Sequence, residues 1–283
     1  MSSILFVAGE GLPYVKSGGL ADVIGALPKV LVQRGHDVSV VLPLYRSIAT
    51  KYRPEFERLK TFEVHCGNIH TIATIFSQEL DGVHYYFVEH AGYFERDGLY
   101  GHADDAERFS FFQKAVLEMI EQIDIPVDII HAHDWHAGMI SALCRFHYPG
   151  KERYQRIKHV FTIHNLAYQG NFPTSVLWDC LGLPMEHYYD GTMRFYDGIS
   201  FMKSAVVFSD KISTVSNTYA QEITTPEFGE NMDEVLKLRK HDLWGIVNGI
   251  DMDNWDPNQD PLLENHYSVK NYKGNKPVNK KKL

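Results

Sequence analysis

Two periods of apolar residues alternate along this chain, and the switches between them mark out its elements. "SILFVA" (residues 3–8) is a short, mostly apolar run, the pattern of a buried strand. After a loop over 9–19, Leu20, Val23, Ile24, Leu27, Val30 and Leu31 recur at helical spacing, and Gly35 supplies a stop. "HDVSVVLP" (36–43) returns to a strand pattern. Strand, glycine-containing loop, helix and strand make a βαβ unit that opens a parallel sheet. Between about 61 and 94, β-branched and aromatic residues dominate and Asp81-Gly82 is a hairpin signal. Antiparallel strands inserted into or added to the sheet are expected there. Residues 104–123 read as a helix with Phe109, Phe112, Ala115, Val116, Met119 and Ile120 on one face and two aspartates at its N-terminus. "VDIIHAH" (127–133), "KHVFTIHN" (158–165) and "SDKISTVS" (209–216) read as strands. "WHAGMISALCRF" (135–146) and "NTYAQEI" (217–223) read as helices, and "LWGIVNGID" (243–251) as a last strand and turn. The basic stretch 270–283, "KNYKGNKPVNKKKL", reads either as a solvated tail or as a chain cut inside a linker or at the start of a further domain.

Composition narrows the class. With 44% apolar and 23% charged residues over 283 positions, a substantial core is affordable and overall disorder is not expected. A net charge of −8 argues against nucleic acid as the main partner, since phosphate binding wants a basic face. The opening residues lack the basic and apolar regions of a secretory signal, and no run is long enough to span a membrane. The odd, scattered cysteines, Cys66, Cys144 and Cys180, suggest reduced thiols in a cytoplasmic protein. The 13% aromatic content fits ordinary core packing and sugar stacking alike.

In an open parallel sheet ligands bind beyond the carboxyl ends of the strands, and three polar clusters fall there. The first is Lys16-Ser17-Gly18-Gly19, at the mouth of the first helix. Unpaired amides, the positive end of the helix dipole and a lysine suit a phosphate or the reacting end of a phosphorylated sugar. A tight turn carrying a surface lysine would look the same. Neither a dinucleotide fingerprint nor a P-loop is present. The second is "HAHDWHAG" (131–138). On a strand His131 and His133 point the same way. With Asp134 and His136 they raise a metal-dependent hydrolase, although Asp134 directly follows the second histidine and Trp135 comes next, which is the wrong order for the known metallohydrolase pattern. Packed histidines and a polar rim for a hydroxylated substrate are the other readings. The third is "TIHNLAYQG" (162–170), where His164 and Asn165 follow an apolar strand and are either structural or catalytic. "NGID" (248–251) adds amide and carboxylate groups.

Together these motifs resemble the N-terminal half of the bacterial glycogen synthases, ADP-glucose-using α-1,4-glucosyltransferases of the starch/glycogen synthase family. "KSGGLADVIGALPK", "VDIIHAHDWHAG", "FTIHNLAYQG", "STVSNTYAQEI" and "VNGID" follow in the family's order over residues 1–255. The resemblance implies the first of two Rossmann-like domains of a GT-B glycosyltransferase, with helices on both faces of its sheet, and 256–283 as an interdomain segment. It implies retaining transfer of glucose from ADP-glucose to the 4-hydroxyl at the non-reducing end of glycogen or a maltooligosaccharide, without metal or cofactor. By motif, Lys16, Gly18 and Gly19 would lie at the sugar-phosphate end of the donor, and Asp22 would fix their loop. Asp134 would make polar contacts near acceptor and sugar, and His164 would sit against the transferred glucose. Tyr100, Asn165 and Asn248 would line the same cleft. The family's second domain supplies an Arg/Lys pair for the diphosphate, a glutamate beside the sugar and the adenosine pocket. Residues 1–283 alone are therefore expected to be inactive, and a glucan-binding fragment without turnover is the non-catalytic alternative.

Overall fold

The computed structural model describes residues 1–252 and 255–282. It divides into two compact units, Met1–Val247 and Asn248–Leu283.

The first unit begins with β1 (Ser3–Val7), α1 (Gly19–Gln33) and β2 (Asp37–Pro43). Gly35 sits at a left-handed φ of 85°, so the expected stop is a true helix terminator. Of the residues at helical spacing, Leu20 and Ile24 are buried, Leu27 and Leu31 pack partly buried against the core and Val30 is exposed; Ala21, Gly25 and Pro28 complete the buried face. Small residues win because the chain runs close by: a Cβ on Gly25 would lie 2.7 Å from Leu12 Cβ.

Three long strands follow, β3 (Glu57–Cys66), β4 (Ile69–Leu80) and β5 (Val83–Glu89). Asp81 and Gly82 both take positive φ, as a two-residue hairpin turn of this hand requires. β5 pairs parallel to β2, and β4 and β3 then pair antiparallel to their neighbours, so the antiparallel block extends the sheet at one edge. α2 (Asp105–Gln122) buries all six expected apolar residues, and Phe111 and Leu117 besides. Next come β6 (Ile129–His133), α3 (Ile140–His147) and β7 (Lys158–Ile163). A small sheet of β8 (Asn171–Pro173), β9 (Arg194–Phe195) and β10 (Gly198–Ser200), in the order β8-β10-β9, stands apart and was not expected. α4 (Phe201–Phe208), β11 (Lys211–Thr214), α5 (Asn217–Glu222) and β12 (Leu243–Gly245) complete the unit.

The main sheet runs β12-β11-β7-β6-β1-β2-β5-β4-β3, parallel from β12 to β5. β1 is flanked by β2 on one side and by β6 on the other. The chain therefore reverses its direction of growth at β1/β6, which opens a crevice beyond their carboxyl ends.

The expected helix over 135–146 is broken. Trp135–Ala137 forms a single 3₁₀ turn, and α3 starts only at Ile140. A tertiary contact explains the break: the Met139 amide, which in a continuous helix would donate to the Trp135 carbonyl, donates to Gln113 Oε1 at 2.6 Å. Cys66 and Cys144 are buried and Cys180 half-buried, all as free thiols. Burial pushes the Cys66 and Cys144 thiols up to about 12, so they are inert.

The second unit is small and carries α6 (Tyr272–Lys282). Side chains brace the helix: Asn279 Oδ1 accepts from the Asn265 amide at 3.1 Å, and Asn275 Nδ2 donates to the His266 carbonyl at 2.8 Å. Leu283, the last residue of the basic stretch, lies outside the described residues. Among the described residues no helix is long and apolar enough to cross a membrane.

Candidate active site

The carboxyl ends of β1, β6 and β7 each deliver a polar group to the crevice. From β1 comes Glu10, only 3% exposed. Its carboxylate accepts from the Ser17 amide and, at 3.1 Å through Oε1, from the Gly18 amide. Two of the amides at the mouth of α1 are thus already held by an internal carboxylate. Gly18 caps α1 in an extended conformation, and Gly19 faces open space, with no atom within 4 Å of where a Cβ would be. Lys16 Nζ lies 2.7 Å from both carboxylate oxygens of Asp22, so Asp22 anchors the lysine at the loop's rim.

From β6 comes Asp134, at φ 53° and ψ −178°, a backbone region sparsely populated for any residue but glycine. Its amide donates to the Thr162 carbonyl at 3.1 Å, and its Oδ1 accepts from the His164 amide at 2.8 Å. The strained residue is thereby tied on both sides to β7. Burial raises its carboxyl to about 7, the amides of His164 and Asn165 pull the other way, and the Glu10 charge adds to the rise.

From β7 comes His164, whose Nε2 lies 2.9 Å from His133 Nδ1. His131 Nε2 bonds Thr162 Oγ1 at 2.7 Å, and Thr162 in turn bonds Ser213 Oγ on β11 at 2.7 Å. His131 and His133 lie on one side of β6, as expected, with ring centroids 4.2 Å apart and Phe6 against both. His136 turns away from them: it stacks on Tyr100 at 4.1 Å and packs on Trp135 and Phe109. The metal reading of His131, His133, Asp134 and His136 fails on this geometry. Among the described residues no three His, Cys, Asp or Glu side chains are placed to share an ion.

Burial lowers His131 and His136 to about 3 and His164 to about 4, and takes His133 well below its usual value. All four imidazoles are neutral near pH 7. They can orient and accept, but they bring no positive charge. Lys16 is the cation of this chain at the loop.

Tyr100 completes the cluster. Burial takes its phenol well above the usual range, with Tyr45, Glu10 and Asp134 adding to the rise. A Cβ on Gly9 would lie 2.9 Å from both Tyr100 Oη and His136 Cγ, so only a residue without a side chain lets these rings pack against the chain just after β1. Asn165 is exposed, and its Oδ1 accepts from the Ala167 amide at 3.0 Å, shaping the loop after β7. Asn248 opens the second unit and is exposed. Sequence reasoning missed Gly9 and Glu10. The available signal was an acidic residue between two glycines directly after an apolar strand, "AGEG".

An open, largely parallel α/β sheet with its polar residues gathered at the topological switch point defines the Rossmann-like class. Within that class the chain belongs to the starch and glycogen synthases: the family model for the starch synthase catalytic domain matches residues 3–238. Relatives include glycogen synthases of Clostridium kluyveri, 47% identical over 280 residues, and Streptococcus sanguinis, 46% identical over 280 residues. Each alignment covers 99% of this chain and 59% of the relative, so the chain spans about three-fifths of their length. Among solved structures, the catalytic domain of starch synthase IV from Arabidopsis thaliana, bound to ADP and acarbose, superposes with a TM-score of 0.87 at 33% identity, over 95% of this chain and 56% of that one. The parallel-rich sheet flanked by helices agrees with the GT-B domain expected from the sequence.

Proposed function

We propose that this chain is the acceptor-side part of a glycogen synthase, which transfers glucose from ADP-glucose to the non-reducing end of an α-1,4-glucan with retention, in the cytoplasm. The observation that carries the reading is the convergence of Asp134, His164 and Tyr100 with the Lys16–Gly19 loop at one switch point. The relatives' names and the ADP and acarbose bound to the Arabidopsis enzyme support the donor and acceptor classes.

Breaking a glycosyl–phosphate bond builds positive charge on the sugar and negative charge on the departing diphosphate. Dipoles and cations aimed beforehand at those charges lower the barrier. In this reading Lys16 and the N-terminal end of α1 meet the diphosphate at the open face of Gly19. Glu10 holds the loop through Ser17 and Gly18, and Asp22 sets the lysine. His164 lies against the transferred glucose as a neutral imidazole, a polar contact that does not repel a cationic sugar. Asp134 accepts from the His164 amide and offers the acceptor a carboxyl poised between its two protonation states. Asn165 is assigned to the rim of the same cleft. The cations and glutamate that the family draws from a second domain are not supplied by residues 1–247.

The test is ADP-glucose-dependent elongation of glycogen by the product of the whole reading frame that carries this sequence, beside purified 1–283. Activity in the former and none in the latter is expected. Elongation by 1–283 alone would refute the half-site reading, and none by either would refute the transferase.

A further inference from the structure

Tyr100 lies on an irregular segment, yet the backbone groups on both sides of it are gripped. Arg108 Nη2 donates to the Leu99 carbonyl at 2.8 Å, and the Gly101 amide donates to Asp105 Oδ2 at 2.7 Å. Both side chains come from the first turn of α2 and face each other, with Arg108 Nη1 3.7 Å from Asp105 Oδ1. Arg108 is wholly buried, its guanidinium 5.0 Å from the Phe109 ring centroid, 5.2 Å from Phe94 and 5.9 Å from Tyr45. Gly98 and Gly101 take left-handed φ values of 78° and 85° and turn the chain around the tyrosine. A buried arginine costs a great deal of hydration, and a loop that only linked two elements would not need one.

We propose that Arg108 and Asp105 are positioning residues that hold Tyr100 by its flanking peptide groups, so that its ring stays stacked on His136 and its hydroxyl stays at Gly9, beside the reacting groups. The inference rests on the transferase reading of the same site. It places two residues that no motif singled out behind one that touches the cleft. Displacing a positioned group by about 1 Å can cost on the order of 100-fold in rate.

The test is a double-mutant cycle in the product of the whole reading frame, with kcat and KM measured for Asp105→Ala, Tyr100→Ala and the pair, and thermal midpoints recorded alongside. Asp105→Ala is expected to lower kcat about 10- to 100-fold with a near-native midpoint. In the Tyr100→Ala background the same change should cost less than about threefold. Asp105→Asn, which keeps an acceptor for the Gly101 amide, should recover most of the loss. Full multiplicative losses in the pair, or losses that follow the midpoint, overturn the proposal and leave a merely structural pair. If the wild type shows no elongation, it is the transferase reading that fails. The clamp is then judged by the ¹⁹F line of fluorotyrosine at position 100: broadening or a shift in Asp105→Ala supports it, and an unchanged line overturns it.

Discussion

Asp134→Asn should make the protein more stable at high pH while removing a carboxyl that the proposed reaction uses. The wild-type carboxyl rises from 3.8 to about 7 on folding, chiefly through burial. The folded state therefore binds this proton more tightly than the unfolded chain does. Stability from this group is whole below pH 3.8 and is lost as pH climbs towards 7. At 1.36 kcal/mol per pH unit, the ionised carboxylate costs about 4 kcal/mol above pH 7 and between about 1 and 2 kcal/mol at pH 5. Asparagine is uncharged and keeps an oxygen for the His164 amide. Any fixed cost of the exchange cancels between two pH values, so the variant's advantage over wild type should grow by about 2–3 kcal/mol from pH 5 to pH 8. The buried histidines titrate with the opposite sign: their stability is present above 6.5 and is lost as pH falls towards about 3 or 4. They are common to both proteins and drop out of the comparison. Urea unfolding of 1–283 at both pH values measures it. Parallel profiles, with a difference that changes by less than about 0.5 kcal/mol, would show that Asp134 ionises like an exposed carboxylate and would refute the argument.

Gly9→Ala should destabilise by about 1–3 kcal/mol, because the new methyl meets Tyr100 Oη and the His136 ring at 2.9 Å in a packed corner; denaturant midpoints check it. Lys16→Ala should separate function from stability. Its pair with Asp22 is substantially exposed and is worth about 1 kcal/mol or less, so unfolding should barely move. Elongation should fall at least about 100-fold as a charge aimed at the leaving group is lost. Dialysis against chelator should leave elongation unchanged, and activity lost to chelator and restored by a divalent ion would bring the metal reading back.

The parallel strands β1, β2, β6 and β7 were legible because each is short, mostly apolar and closed by polar or glycine residues, a local pattern that survives whatever packs around it. Gly35 and Asp81-Gly82 were legible for the same reason: a required positive φ leaves its mark on the residue itself. The candidate chemistry was legible as three clusters after three strands, because in a parallel sheet every strand offers its carboxyl end to the same side. By itself, then, the sequence determined an α/β chain with its polar clusters on one edge, and the order of its motifs pointed to the family.

Folding decided what depends on partners distant in the chain. The order that puts β1 between β2 and β6 brought Glu10 and Asp134 to one switch point. Glu10, in "AGEG", carries no sign that its carboxylate will fill the amides seven and eight residues further on. The helix that segment 135–146 favoured is interrupted because Gln113, distant in the chain, takes the Met139 amide. The four histidines lost their charge, and Asp134 its acidity, chiefly through burial. Burial is a property of everything packed around a group, and a local pattern of residues does not contain it.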